Sequence, residues 1–353
     1  MSAMVLRTRD GSGQEHETGR QLPSRIVVAE KPKPVEPPAP RRTDEIVKDH
    51  GYHLLPFPKL GSGKYSKVVL VESRKVGGVK AALKVVDLAK LRPNYFDRFL
   101  CRELSILKSL HHPHILRLHE YFQEGTCYYL VLQYAEGGDL LSYIQSKGAI
   151  LDAKARPWFR QLASAVTYLH AQPIAHRDLK LENILIGLGG RLLVGDFGFS
   201  TRLEESGDLS RTYCGSKSYS CQEIIQGIPY CALKADIFAL GVIAFIMLTS
   251  RMPFNEALPT QRLVRAHLER DYLPELNARS HRIPPEAIQL INQMLSYKAE
   301  DRPTAVQVLA SRWLSPSKPR SNTSSSRLGK RKTSNASSAT EGSVKTAKLA
   351  SRA

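Results

Sequence analysis

Apolar residues are concentrated between about residues 51 and 314, and their spacing changes character along that stretch. In its first third they come as short runs bounded by turn residues. Val68-Val69-Leu70-Val71, Ala81 to Val86 and Tyr128 to Tyr134 are rich in β-formers and read as strands. One helix is predicted among them, Tyr95 to Ser109, with Phe99, Ile106 and Leu110 near helical spacing. From Asp152 onward the pattern is mainly helical: Trp158, Leu162, Val166 and Leu169 mark one face, and Ala287, Ile288, Ile291, Met294 and Leu295 another. This predicts an α+β fold with a small β-rich lobe at about 51–135 and a larger helical lobe at about 136–314. The longest uncharged apolar run, Ile237 to Leu248, falls short of the roughly 20 residues a membrane-crossing helix needs, and reads as a core helix.

The ends of the chain differ from this middle. Residues 1–50 balance nine Lys/Arg against eight Asp/Glu and include the Pro-rich Lys31 to Pro40, so a solvated extension with little fixed structure is expected. Residues 315–353 carry nine Lys/Arg and one acid, Glu341, amid Ser, Thr, Ala and Asn; disorder is expected there too. Much of the +18 formal charge therefore sits in the tail, which could attract an acidic partner such as nucleic acid. It lacks the interleaved aromatics that stack on bases, so only non-specific phosphate attraction is supported. The first residues lack the apolar stretch of a secretory signal, and the five scattered cysteines suggest free thiols. A cytoplasmic protein is expected, with Lys330-Arg331-Lys332 available for nuclear import.

Several motifs carry chemistry. Leu60-Gly61-Ser62-Gly63-Lys64-Tyr65-Ser66-Lys67-Val68 has the form of a glycine-rich loop whose backbone N–H groups can approach phosphate oxygens, although two glycines between strands also mark a plain hairpin. Lys84, within Ala81 to Val86, is either a solvated strand lysine or a phosphate partner held by a carboxylate on the next helix. Glu103 is the candidate, since Phe99, Glu103 and Leu107 share a helix face and a buried carboxylate needs a partner. His176-Arg177-Asp178-Leu179-Lys180-Leu181-Glu182-Asn183, followed by Asp196-Phe197-Gly198, is the strongest signal. Phosphoryl transfer needs a carboxylate to orient the attacking hydroxyl, a cation near the moving phosphate and oxygen ligands for Mg²⁺; Asp178, Lys180, Asn183 and Asp196 supply these.

In combination and order these motifs resemble a complete eukaryotic protein kinase domain over about residues 52–314. The resemblance implies ATP and Mg²⁺ in a cleft between two lobes. It places Leu60, Val68, Ala82 and Leu185 around the nucleotide, Leu132 at the back pocket, Gln133-Tyr134-Ala135 as the adenine-binding hinge and Asp139 within reach of the ribose. Asp236 matches the aspartate that braces the catalytic-loop backbone. Lys180, two residues after Asp178, resembles Ser/Thr kinases. Asp196-Phe-Gly-Phe-Ser200, Thr212-Tyr-Cys-Gly-Ser216 and Gln226-Gly-Ile-Pro-Tyr230 resemble the testis-specific serine kinase family of the calmodulin-kinase-like group.

By the same resemblance Asp196 to Glu223 is the activation segment. Thr212 occupies its phosphorylation position, Arg177 would be a buried guanidinium needing that phosphate, and Ser216 bridges Asp178 and Lys180. Asp139 and Glu182 resemble the acids that hold basic residues upstream of a target Ser or Thr. Two departures stand out. Cys221-Gln222-Glu223 replaces Ala-Pro-Glu, keeping the glutamate that pairs with Arg302 but losing the proline that stiffens the turn, and Phe238 stands where a tryptophan is usual. Two rival readings are a catalytically silent scaffold, against which all of Lys84, Glu103, Asp178, Asn183 and Asp196 speak, and a nucleic-acid role for the tail.

Overall fold

The computed structural model describes residues 41–62, 66–75, 77–90, 100–204 and 209–315. The Pro-rich stretch, Gly63, Phe99, the start of the helix predicted from Tyr95, and the basic tail lie outside the described residues.

Five antiparallel strands form the small lobe: β1 (Tyr52–Ser62), β2 (Ser66–Ser73), β3 (Val79–Asp87), β4 (Leu118–Glu124) and β5 (Cys127–Gln133), in the order β1-β2-β3-β5-β4. The three predicted runs fall in β2, β3 and β5. β1 was not predicted, because Pro56 and Pro58 interrupt it. It tolerates them as an edge strand whose register shifts between Leu54 and Lys59.

The expectation of little fixed structure through residue 50 is corrected at its end. Thr43–Asp49 is a helix, α1, with Val47 fully buried and Ile46 nearly so against Tyr52, Val71, Leu83, Tyr129 and Val131 on one face of the sheet. Beyond it His50 stacks on Phe122 at 3.6 Å, and the Lys67 ammonium donates to Thr43 Oγ1 at 3.1 Å. Two buried aliphatic side chains contribute roughly 3–5 kcal/mol. A chain beginning at residue 51 should therefore melt about 5–10 °C below one beginning at 41, and coincident melting curves would refute the packing role of α1.

Helix α2 (Cys101–Ser109) turns Glu103, Leu104, Ile106 and Leu107 inward. The larger lobe follows with α3 (Leu140–Lys147), α4 (Asp152–Ala171), α5 (Gln222–Gln226), α6 (Ala232–Thr249), α7 (Thr260–Glu269), α8 (Leu273–Ala278), α9 (Pro285–Met294) and α10 (Ala305–Leu309). α6 is apolar on every side and packs between α4 and α9, with 89% of its residues buried. It is long and apolar enough to cross a bilayer, yet it forms the centre of this lobe. The Trp158, Leu162, Val166, Leu169 face of α4 is buried as predicted. Trp158 meets Tyr143 edge-on, and Trp313 stacks on Phe159 while donating to Asp152 Oδ1 at 2.7 Å.

Three short ribbons hold the intervening loops: β6 (Ile174–Ala175) with β9 (Thr201–Arg202), β7 (Ile184–Ile186) with β8 (Leu192–Val194), and β10 (Leu209–Ser210) with β11 (Tyr230–Cys231). They place residues 176–183 against residues 195–204 and 211–221 at the mouth between the lobes.

Candidate active site

Between the sheet and the helical lobe lies a cleft of about 430 Å³. Leu60, Val68, Ala82, Leu132 and Leu185 give it apolar walls, and Ser66, Gln133, Ala135 and Asp139 line its edge. Near the end of β1 Gly61 pairs with Val68 and Ser62, its last residue, with Lys67. A Cβ added at Gly61 would meet nothing within 4 Å, so packing within the chain does not explain that glycine. The Gln133 N–H is engaged by Arg117 O at 2.8 Å. Asp139 has a structural duty besides its place at the edge: its carboxylate caps α3, accepting from the N–H and the hydroxyl of Ser142, both at 2.8 Å.

Lys84 stands in β3 between Val68 and Leu130, and its ammonium lies 2.7 Å from Glu103 Oε1 and 3.7 Å from Asp196 Oδ1. Glu103 is buried. Burial alone would raise the Asp196 carboxyl; Lys84, then His176, the Gly198 N–H and Lys180, outweigh it and hold the group below its ordinary value. Asp196 is thus a carboxylate at neutral pH. It has φ +56°, a conformation uncommon outside glycine and held here by its surroundings.

The loop from His176 to Asn183 is fixed from beneath. Asp236 Oδ2 accepts the His176 N–H and Oδ1 the Arg177 N–H, both at 2.8 Å, which supports the left-handed φ of +63° at Arg177. The His176 ring lies 3.0 Å from Gly195 O and packs on buried Phe197. Asp178, itself buried, is held on both oxygens: Oδ2 is 2.8 Å from Lys180 Nζ and 3.1 Å from Asn183 Nδ2, and Oδ1 accepts from Ser216 Oγ at 3.1 Å. Lys180 also donates to Ser216 Oγ at 3.0 Å. This approach requires Gly215, at φ +95°, where any Cβ would come within 2.6 Å of Arg177 O.

The expectation of a buried, unpaired Arg177 needs correction. The side chain is half-buried and its Nε donates to Phe199 O at 2.7 Å, though among the described residues no carboxylate pairs with it. Thr212 is exposed, with its carbonyl accepting from Tyr230 Oη at 2.8 Å and its N–H donating to Ser210 Oγ at 3.3 Å. Glu223 and Arg302 do pair, at 2.8 Å. Sequence reasoning missed Tyr230 and Gln222 as partners in this region; Gln222 had registered only as a lost proline.

The protein kinase domain family matches residues 56–314, and the chain belongs to it. It is 36% identical over 273 residues to testis-specific serine/threonine-protein kinase 2 of Mus musculus, covering 76% of this chain and 75% of that protein. Over 298 residues it is 30% identical to testis-specific serine/threonine-protein kinase 4 of Homo sapiens, covering 80% and 88%. A third relative, human NUAK family SNF1-like kinase 2, is 32% identical over 318 residues, 89% of this chain but about half of that protein. The chain is a protein serine/threonine kinase.

Proposed function

We propose that the chain transfers the γ-phosphoryl group of ATP to serine and threonine hydroxyls of other proteins, and that phosphorylation of Thr212 raises its activity. The observation that carries this is the double hold on Asp178, by Lys180 and Ser216, beside a cleft that also contains the Lys84–Glu103 pair. In this reading Lys84 grips the α- and β-phosphates and Glu103 keeps it from swinging into solvent. Gly61 and Ser62, at the end of β1, cover the phosphates, which accounts for a glycine that internal packing does not require. Asp178 Oδ1 retains a lone pair for the incoming hydroxyl, orienting it and taking its proton, while Lys180 steadies negative charge on the moving group.

Asn183 and Asp196 fit a hard divalent cation such as Mg²⁺. Asn183 Nδ2 is spent on Asp178, with the backbone carbonyl at 2.8 Å, which leaves the amide oxygen as donor atom beside an ionised Asp196. When bound, Mg²⁺ would neutralise charge on the β- and γ-phosphates. Two protein oxygens fall short of an octahedral set, so its affinity should depend on nucleotide being present. Asp139 and exposed Glu182, at the rim, suit substrates with basic residues before the target hydroxyl.

Phosphate on Thr212 would give the Arg177 guanidinium a doubly bonded partner in place of a single carbonyl. The test is transfer from labelled ATP with Mg²⁺ to basic Ser, Thr and Tyr peptides, for wild type and Thr212→Ala. Labelling of Ser and Thr peptides is expected, falling about tenfold in Thr212→Ala, the share of one hydrogen bond to a charged group. No labelling by protein phosphorylated at Thr212 would overturn the reading.

A further inference from the structure

The Glu223–Arg302 pair is sealed inside the larger lobe, with Arg302 1% and Glu223 7% exposed. A guanidinium so buried is costly unless its N–H groups find acceptors. Nε donates to Ser296 O at 2.8 Å, and Nη2 reaches Tyr297 O at 2.9 Å and the Glu223 oxygens at 2.8 and 2.9 Å. A further acceptor is Gln222 Oε1, 2.9 Å from the same Nη2, on a side chain that is itself buried. Arginine only donates, so the amide must present its oxygen. Cys221, the residue before Gln222, is fully buried, and burial together with the nearby Glu223 carboxylate pushes its thiol up to about 12, against the opposing pull of Arg302. Of the two residues that depart from Ala-Pro, Gln222 thus bonds the ion pair directly.

We propose that Gln222 is a positioning residue, its buried hydrogen bond to Arg302 holding the turn into α5 in place of the restraint a proline would supply there. Gln222 is the first residue of α5, where proline is favoured because its fixed φ suits the helix and its missing N–H is not needed. Glutamine leaves the backbone free, so the turn must be held from outside. The same segment carries Ser216, which touches both Asp178 and Lys180. Slack at Gln222 would thus disturb where a protein substrate sits. It would leave the nucleotide cleft alone, since Gln222 lines none of it.

The kinetic part of this inference rests on the proposed activity, and a second readout does not. In the full chain, Gln222→Ala should raise KM for a peptide substrate about tenfold while KM for ATP stays within about twofold. Amide exchange at Gly227 and Ile228, whose N–H groups bond Ile224 O and Glu223 O, should quicken about tenfold. The double variant Cys221→Ala/Gln222→Pro should restore both. Unchanged exchange in Gln222→Ala, or failure of the double variant to restore it, overturns the brace. Absence of phosphoryl transfer in wild type with the exchange result intact would overturn the proposed activity alone.

Discussion

Asp178→Asn is expected to lower phosphoryl transfer by about 10²–10⁴-fold while leaving the fold and ATP binding in place. The substitution is nearly isosteric, and the amide oxygen can still accept from Ser216. What changes is charge and donor pattern. An amide nitrogen in place of Oδ2 would face the Lys180 ammonium and the Asn183 amide, donors against donors, and the attacking hydroxyl would lose the carboxylate that takes its proton. None of the cleft's apolar walls is touched, so the rise in melting temperature on adding Mg·ATP should match that of wild type. Single-turnover rates measured beside that shift separate chemistry from binding. A variant within tenfold of the wild-type rate would remove Asp178 from the role proposed for it. Wild type as inactive as the variant, with nucleotide bound, would favour the scaffold reading instead.

The second large effect is on stability. Arg302→Leu leaves Glu223 buried without its counter-charge and deprives Ser296 O and Tyr297 O of their donor. Breaking a buried pair from one side costs about 3–5 kcal/mol, because the stranded charge keeps its desolvation penalty. For a domain of this size that lowers the melting temperature by about 10 °C. Glu223→Gln keeps an oxygen for the guanidinium and should cost less. A melting temperature for Arg302→Leu within 2 °C of wild type would show the pair to be dispensable, a bound set by the roughly 2–4 °C expected per kcal/mol.

Legibility in the sequence followed the range of the interaction. β2, β3 and β5 were visible because each is a compact run of β-formers buried in the middle of the sheet. Local helical spacing likewise put Glu103 on an inward face, where the structure pairs it with Lys84. α1 escaped notice because TDEIVKD offers only two apolar residues, too few to show a period, and the sheet face they cover is assembled from β1, β2, β3 and β5. The support of the catalytic loop was legible only through the family resemblance: Asp236 lies 60 residues from His176, no local pattern links the two, and the fold brings them together as the resemblance implied. Arg177 was read as buried because it stands next to the catalytic aspartate; its backbone is left-handed and its side chain is half-buried, with Phe199 O as acceptor. Gln222 shows the limit of comparison with a family pattern, since a missing proline reveals nothing of a donor placed 80 residues away.

The positions of the two tryptophans bear on how this kinase can be observed. Trp158 and Trp313 both pack against aromatic partners in the helical lobe, the usual tryptophan at residue 238 is phenylalanine, and neither indole lines the cleft. Intrinsic indole emission will therefore follow the melting of the larger lobe and stay silent when α1 peels off the sheet or when nucleotide enters. A fluorescence signal for those events needs an engineered reporter, and exposed Cys101, at the head of the helix that carries Glu103, offers a thiol for attaching one.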